Sequence, residues 1–223
     1  MSHLVILSAG TGQPSTTRML ADRIAAASLE QLRELGGTAT VGGIEVAPLA
    51  VDVARTSVSG VPSADLQAAI EQLAAADAVI AAAPVYKAGI SGLFKSFVDV
   101  LDDDLLIAKP VVLAATAGSS RHALVVDEEM RSLFAYMRAL TLPTSVFAAP
   151  EDWGANELGE RIRRAATELA VVVQGQVEQG IAERAWSGYR HKFAGNATRA
   201  EQTAADADFD TPLMRLAAGG CTD

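Results

Sequence analysis

Residues 4–20 read LVILSAGTGQPSTTRML: a short apolar run, a turn rich in glycine and hydroxyl groups, and the start of a helical pattern. The run from Leu4 to Leu7 predicts a buried strand that stops at Ser8-Ala9-Gly10-Thr11-Gly12. From Thr16 onward, apolar residues recur at helical spacing until Gly36-Gly37 ends the pattern. A strand, a tight turn and a helix in this order are typical of the opening unit of an α/β fold.

The same alternation of strand and helix continues along the chain. Four more buried strands are predicted, at 39–48, 78–83, 111–116 and 144–148, with Pro84 closing the third strand of the five. Helices are predicted over 63–76, 91–101, 126–140 and 156–177, and residues 49–62 are predicted to form a mixed loop. Five such units predict a flavodoxin-like, doubly wound, five-stranded parallel sheet with helices on both faces.

Composition excludes several classes of function. The formal net charge of −9 argues against nucleic-acid binding, which needs clustered Lys and Arg. The single cysteine, Cys221, provides neither a disulfide nor a thiolate metal site, and the three histidines lack ligand spacing. The N-terminus has no basic leader, and no apolar stretch reaches the roughly 20 residues that span a bilayer. We therefore expect a cytoplasmic protein with no metal and no nucleic-acid or membrane partner.

The loop after the first strand has the chemistry of a phosphate cradle. Ligands of doubly wound sheets bind outside the carboxyl ends of the strands, and this loop combines glycines with five hydroxyl groups there. Ser15 or Thr16 can cap the helix, whose free N–H groups attract an anion. The loop is not a P-loop, and Ser15 stands where a dinucleotide fingerprint would have its third glycine. An ordinary helix cap without a ligand is the alternative interpretation.

The loop after the third strand, residues 84–95, reads PVYKAGISGLFK. Tyr86 offers a flat apolar face suited to a ring system, and Gly89 and Gly92 would let the next helix start close to a ligand. The alternative is a tight turn with a core tyrosine. Lys95 and Asp99 lie four residues apart and are predicted to pair on the helix surface.

Two later loops complete the predicted edge of the sheet. Thr116-Ala117-Gly118-Ser119-Ser120 again couples a glycine turn to hydroxyl groups, and Glu151-Asp152-Trp153 follows the fifth strand. Asp102-Asp103-Asp104 is typical of a solvated helix end, and no G-x-S-x-G elbow indicates a hydrolase. The residues alone thus predict an α/β domain that binds an anion and a ring.

Residues 84–102, PVYKAGISGLFKSFVDVLD, resemble the corresponding segment of the NADPH-dependent FMN reductases, including those that feed two-component flavin monooxygenases. Residues 7–25, LSAGTGQPSTTRMLADRIA, are similar to the phosphate loop of actinobacterial members. Many relatives place an arginine in this loop, as in G-S-x-R-x-x-S. Here Gly12-Gln13-Pro14 takes its place and the nearest arginine is Arg18, so the sequence leaves open whether a cation assists the phosphate.

The resemblance implies how the site works. FMN would place its phosphate on the first loop and its ring along Pro84 to Lys87, with the loop after Thr116 passing the ring and ribityl chain. NADPH or NADH would stack on the exposed ring face and give hydride to N5, with no catalytic acid or base. The implied cofactor-binding residues are Ser8, Pro14, Ser15, Thr16, Thr17, Pro84, Val85, Tyr86, Lys87, Thr116, Ala117, Gly118 and Ser119.

Three further residues are assigned by the same resemblance. Arg121 is a candidate for the 2′-phosphate of NADPH, and His122 is a second candidate substrate residue. Trp153 is assigned either to the border of the flavin pocket or to a dimer interface.

The implied function is NAD(P)H:FMN reduction by a homodimer or homotetramer, with reduced flavin passed to a monooxygenase partner. Alternatives are a quinone or azo reductase with fixed FMN, a non-catalytic flavodoxin-type electron carrier, and a flavin-free interaction domain. Residues 1–179 are predicted to form the flavodoxin-like FMN-binding domain. Residues 180–223 are predicted as a C-terminal extension, partly disordered or wrapped around a partner subunit.

Overall fold

A computed structural model of the chain describes residues 1–186. Its strands are β1 (Ser2–Ser8), β2 (Ala39–Glu45), β3 (Ala78–Tyr86), β4 (Gly89–Ile90), β5 (Pro110–Thr116), β6 (Leu140–Thr141) and β7 (Val146–Ala148). The main path of the sheet runs β2-β1-β3-β5-β6 with every pair parallel, β4 pairs antiparallel with β3, and β7 pairs with β5. This is the flavodoxin-like strand order, so the predicted fold class is confirmed. Within residues 1–186 the sheet has seven strands rather than the predicted five.

The fifth position of the sheet is shared by two short strands. Val111 of β5 pairs with Thr141 of β6, whereas Ala114 of β5 pairs with Val146 of β7. The chain therefore takes five residue steps from Thr141 to Val146, while β5 takes only three from Val111 to Ala114. The two additional residues form a break in the strand around Pro143. A proline has no N–H to donate to a ladder, so β6 and β7 are separate strands. The strand predicted at 144–148 corresponds to β7, and β6 was not predicted, because the sequence pattern assigns residue 140 to the end of a helix.

The helices are α1 (Thr16–Glu34), α2 (Ala50–Ser59), α3 (Ala64–Ala74), α4 (Gly92–Asp99), α5 (Arg131–Tyr136), α6 (Asn156–Gln174) and α7 (Val177–Ala185), and a π-helical turn, Val126–Met130, precedes α5. Serines at positions 15, 63 and 91 cap α1, α3 and α4. Helix α2 lies within residues 49–62, which were predicted to form a loop. Its Val53 and Thr56 are buried against the core, and this packing outweighs the weak helix propensity of the segment. Helix α7 crosses the predicted domain boundary at 179, and residues 187–223 of the predicted extension lie outside the described residues.

The helices cover the two faces of the sheet. Leu4 and Ile6 of β1 pack with α1 and α6 on one face, and Val5 and Leu7 pack with α2 to α5 on the other. Because β1, β3, β5 and β7 are parallel, their carboxyl ends lie at one edge, where the four predicted loops meet. In residues 1–186, no helix combines the length and apolarity needed to cross a bilayer.

The sequence predicted that the third strand ends at Pro84, but β3 continues beyond it. Pro84 is buried and pairs with Thr116 of β5, and the strand continues to Tyr86. The carbonyl of Pro84 accepts the N–H of Ser91 at 3.0 Å, so the chain turns back as a hairpin with β4. The missing N–H of proline is tolerated here because the strand is passing from the parallel sheet into this hairpin.

Candidate functional site

A crevice of about 360 Å³ lies at the carboxyl edge of the sheet. The predicted cofactor-binding residues that line it are Pro14, Ser15, Thr16, Thr17, Pro84, Val85, Tyr86, Thr116, Ala117 and Gly118. Thr11, Gly12 and Pro150 line it as well and were not among the predicted site residues. Their signal in the sequence was their position within, or next to, the same strand-end loops. Three loops distant in the chain, with Pro150 of a fourth, thus form one site, of a size common for small-molecule ligands.

The N-terminus of α1 opens onto this crevice. Ser15 Oγ accepts the N–H of Arg18 at 3.1 Å, and the first backbone bond within the helix runs from Met19 N–H to the Ser15 carbonyl. The N–H groups of Thr16 and Thr17 therefore have no acceptor within the helix. The first turn carries no acidic residue. These two free donors, together with the dipole of a 19-residue helix, favour an anion at this point.

Gly10 allows the first loop to fold closely over itself. A Cβ placed at Gly10 would lie 1.9 Å from Ser15 Oγ and 3.1 Å from Thr17 Cβ, closer than ordinary van der Waals contact. Glycine is required here for space, and the peptide bond between Gln13 and Pro14 in the same loop is cis.

Hydrogen bonds connect the first loop to the two other walls of the crevice. The buried hydroxyls of Thr17 and Thr116 lie 2.7 Å apart, and Thr11 Oγ1 lies 3.0 Å from the Tyr86 hydroxyl. Each pair uses one hydroxyl hydrogen, so each retains one hydrogen to donate elsewhere. The predicted site loops thus hold one another in place.

Three predicted cofactor residues do not line the crevice. Ser8 is fully buried, and its hydroxyl accepts the N–H of Gly10 beneath the loop. Lys87 is exposed at the hairpin turn. Ser119 accepts the N–H of Arg121 and caps a short turn, Ser120–His122.

Arg18, the nearest arginine to the first loop, is held away from the crevice by two carboxylates. Its guanidinium pairs with Asp22 at 2.7 Å and with Glu45 at the end of β2. Burial lowers the pKa of Arg18, but the hydrogen bonds to Asp22 and Glu45 outweigh this effect and raise it. Among residues 1–186, those that line the crevice include no Lys or Arg, so an anion held by them would be bound by N–H and hydroxyl groups.

The remaining predicted residues lie at the rim or elsewhere. Arg121 is exposed and His122 is half-buried in the turn after β5. The pKa of Glu151, after β7, is lowered chiefly by its own backbone N–H and next by the nearby Ser120 of this turn, because both favour the charged carboxylate. Trp153 packs on the α1/α6 side of the sheet, with the Arg23 guanidinium 5.8 Å from its ring centre, and does not line the crevice.

Residues 2–154 match the sequence model of the NADPH-dependent FMN reductase family. The chain belongs to this family. It is 36% identical over 182 residues to an FMN reductase (NADPH) of Pseudomonas aeruginosa, a match covering 78% of this chain and 94% of the relative. It is 40% identical over 172 residues to the NADH-dependent FMN reductase SfnF of Pseudomonas fluorescens, covering 75% of this chain and 89% of that one. The predicted family and oxidoreductase class are confirmed.

Solved structures of related proteins share the fold of this FMN reductase family member. An oxidoreductase from Corynebacterium diphtheriae superposes with a TM-score of 0.76 at 42% identity, covering 78% of this chain and 98% of that one. An apo NADH:FMN oxidoreductase, EmoB, gives a TM-score of 0.68 at 26% identity, covering 77% and 89%. The match spans nearly the whole length of both relatives, so the similarity is that of complete domains.

Proposed function

We propose that this chain binds FMN in the crevice at the carboxyl edge of the sheet and reduces it with NADPH or NADH. The observation that carries the proposal is the pair of free N–H groups, on Thr16 and Thr17, that open onto a crevice whose far wall is Pro84 to Tyr86. One end of this crevice suits a phosphate and the other suits a flat ring, and FMN has both. Family membership supports the same ligand.

The phosphate end fits FMN without a charged side chain. The donors available are the N–H groups of Thr16 and Thr17, the Thr16 hydroxyl, and whichever hydroxyl of the Thr17–Thr116 pair keeps its hydrogen. Arg18 already pairs with Asp22 and Glu45 and takes no part. Binding through backbone donors places the phosphate at a fixed point and thereby sets where the ring begins.

The ring end is apolar and open. Pro84 and Val85 are buried, and Tyr86 is 51% exposed, the single aromatic among the described residues that line the crevice. FMN, when bound, supplies the redox chemistry by accepting hydride from the nicotinamide, and the residues of this chain bind and orient it. A face without stacked aromatic residues leaves room for a second ring, which favours a reductase over an electron carrier.

The wider parts of the proposal rest on the resemblance. They are a homodimer or homotetramer, a cytoplasmic location, and delivery of reduced FMN to a monooxygenase partner. The alternative of a quinone or azo reductase differs in one measurable respect, because its FMN stays bound during turnover.

The test uses the full chain freed of flavin. FMN and riboflavin are titrated at low protein concentration, and oxidation of NADPH and NADH is then followed with free FMN as acceptor. We expect tighter binding of FMN than of riboflavin and turnover with free FMN. Bound FMN without nicotinamide oxidation would overturn the reductase assignment in favour of a carrier, and turnover only with quinones or azo dyes would favour the alternative reductases.

Replacement of Arg121 by glutamine tests its predicted contact with the 2′-phosphate of NADPH. We expect KM for NADPH to rise about five- to tenfold while KM for NADH is unchanged, because only NADPH carries the phosphate that a guanidinium would bind. Arg55→Gln, at an exposed position of α2, is the matched control and should change neither value. An equal rise of both KM values would contradict a role in phosphate recognition.

A further inference from the structure

The hairpin that forms the ring end of the crevice has an unfavourable turn. β3 and β4 pair through only two residue pairs, Val85–Ile90 and Tyr86–Gly89. The two residues between them, Lys87 and Ala88, have φ of 53° and 68°. Such a two-residue turn with both residues left-handed is normally built from Asn and Gly, because a side chain at positive φ is strained. The hairpin therefore needs stabilising contacts from outside the turn.

Burial does not provide these contacts. Tyr86, Lys87 and Ala88 are exposed, and Gly89 and Ile90 are half-buried. Within the hairpin, the N–H of Ser91 bonds the Pro84 carbonyl at 3.0 Å. Because alternate N–H groups of a strand point to opposite sides, the N–H of Ile90 points away from β3 and needs another acceptor.

Glu129 provides that acceptor from a distant part of the chain. Its carboxylate accepts the Ile90 N–H at 2.9 Å from the π-helical turn Val126–Met130. A Cβ at Gly89 would lie 3.2 Å from both carboxylate oxygens, so the glycine lets the carboxylate approach β4 closely. Within residues 1–186, no Lys or Arg forms an ion pair with Glu129. The charge of Glu129 is thus directed at the hairpin backbone, which makes a charge-assisted hydrogen bond.

We propose that Glu129 is a positioning residue for flavin binding: its carboxylate holds the Lys87–Ala88 turn in its strained conformation and so fixes Val85 and Tyr86 against the flavin ring. This role rests on the proposed function, since it requires the ring to lie at this hairpin. Glu129 acts on the ring end alone, and the phosphate end depends on the first loop.

The test compares Glu129→Ala, Glu129→Gln and the matched control Glu128→Ala, an exposed neighbouring carboxylate. We expect Glu129→Ala to weaken FMN and riboflavin binding by the same factor, about tenfold, because the ring is common to both ligands. Glu129→Gln keeps an oxygen that accepts the Ile90 N–H and should stay within about threefold of the wild type, as should Glu128→Ala. Hydrogen exchange of apo Glu129→Ala should be faster in the peptide spanning 84–91 and unchanged in β1 and β5.

The outcomes separate the two proposals. If the wild-type chain binds no FMN, the proposed function is overturned. If the wild type binds FMN and Glu129→Ala binds both flavins as tightly as the wild type does, or loses affinity for FMN alone, the positioning role is overturned. Adding Ala88→Gly to Glu129→Ala should recover part of the flavin affinity, since glycine adopts a φ of 68° without strain; general unfolding of Glu129→Ala would not be corrected by that change.

Discussion

Replacing Gly10 with alanine is expected to weaken FMN binding at least tenfold while riboflavin binding changes little. The added methyl would lie 1.9 Å from Ser15 Oγ, so the serine must rotate away and release the N–H of Arg18. Loss of an N-cap costs about 1 kcal/mol of helix stability, and the displaced loop also misplaces the Thr16 and Thr17 donors. We expect the two effects together to weaken the binding free energy of the phosphate by about 1.4 kcal/mol or more, which raises the dissociation constant of FMN about tenfold.

The ratio of the two dissociation constants is the decisive measurement. Riboflavin lacks the phosphate, so a defect confined to the first loop lowers the preference for FMN over riboflavin. Gly159→Ala in α6 is the matched control, because a Cβ there meets no atom within 4 Å. Equal losses for FMN and riboflavin would contradict the assignment of the first loop to the phosphate. The Gly10 and Glu129 variants thus report on opposite ends of the same ligand.

Replacing Lys109 with methionine is expected to lower the free energy of unfolding by about 3 kcal/mol. Lys109 lies at the opposite edge of the sheet from the crevice and is fully buried. Its ammonium donates to the carbonyls of Ala74, at 3.1 Å, and Ala76, and lies 3.6 Å from the Glu178 carboxylate. Methionine fills a similar volume but leaves these acceptors without the charged donor, so the end of α3 and the start of α7 lose a common anchor.

Urea unfolding of the full chain measures this effect. Lys95→Met is the matched control: its ion pair with Asp99, predicted from the sequence and present in the structure, is about half exposed and should contribute less than about 1 kcal/mol. FMN affinity of the folded Lys109→Met chain should equal that of the wild type, since the crevice is remote. Equal stability of the two variants would show that the buried ammonium contributes no more than a surface charge.

The sequence was most informative where a short segment determines its own structure. The strand–turn–helix unit at residues 4–34 depends on an apolar run, a glycine turn and a serine cap that are adjacent in the chain. The positions of the site loops followed as well, because parallel strands bring their carboxyl ends to one edge. That the first loop and Pro84–Tyr86 lie at one crevice could therefore be predicted before their contacts were known.

Predictions failed where distant packing outweighed local preference. Asp102 and Asp104 are buried rather than solvated, because Arg138 pairs with Asp104 and the Asp102 side chain accepts the N–H of Asp104. Pro84 lies within its strand, since the hairpin supplies the bonds that continue it. The strand predicted at 144–148 is the short β7, and β6 was not predicted, because its pairing depends on the register with β5.

The opening segment LVILSAGTGQPSTT by itself determined a strand–turn–helix unit whose turn suits an anion, because strand burial and helix capping act between near neighbours. Only the tertiary structure decided which side chains complete the site. Thr17 meets Thr116 across 99 residues, Arg18 is neutralised by Glu45 from β2, and Glu129 reaches Ile90 from another loop. Each of these contacts depends on the register of the sheet, which arises from packing of the whole core and leaves no local pattern in the sequence.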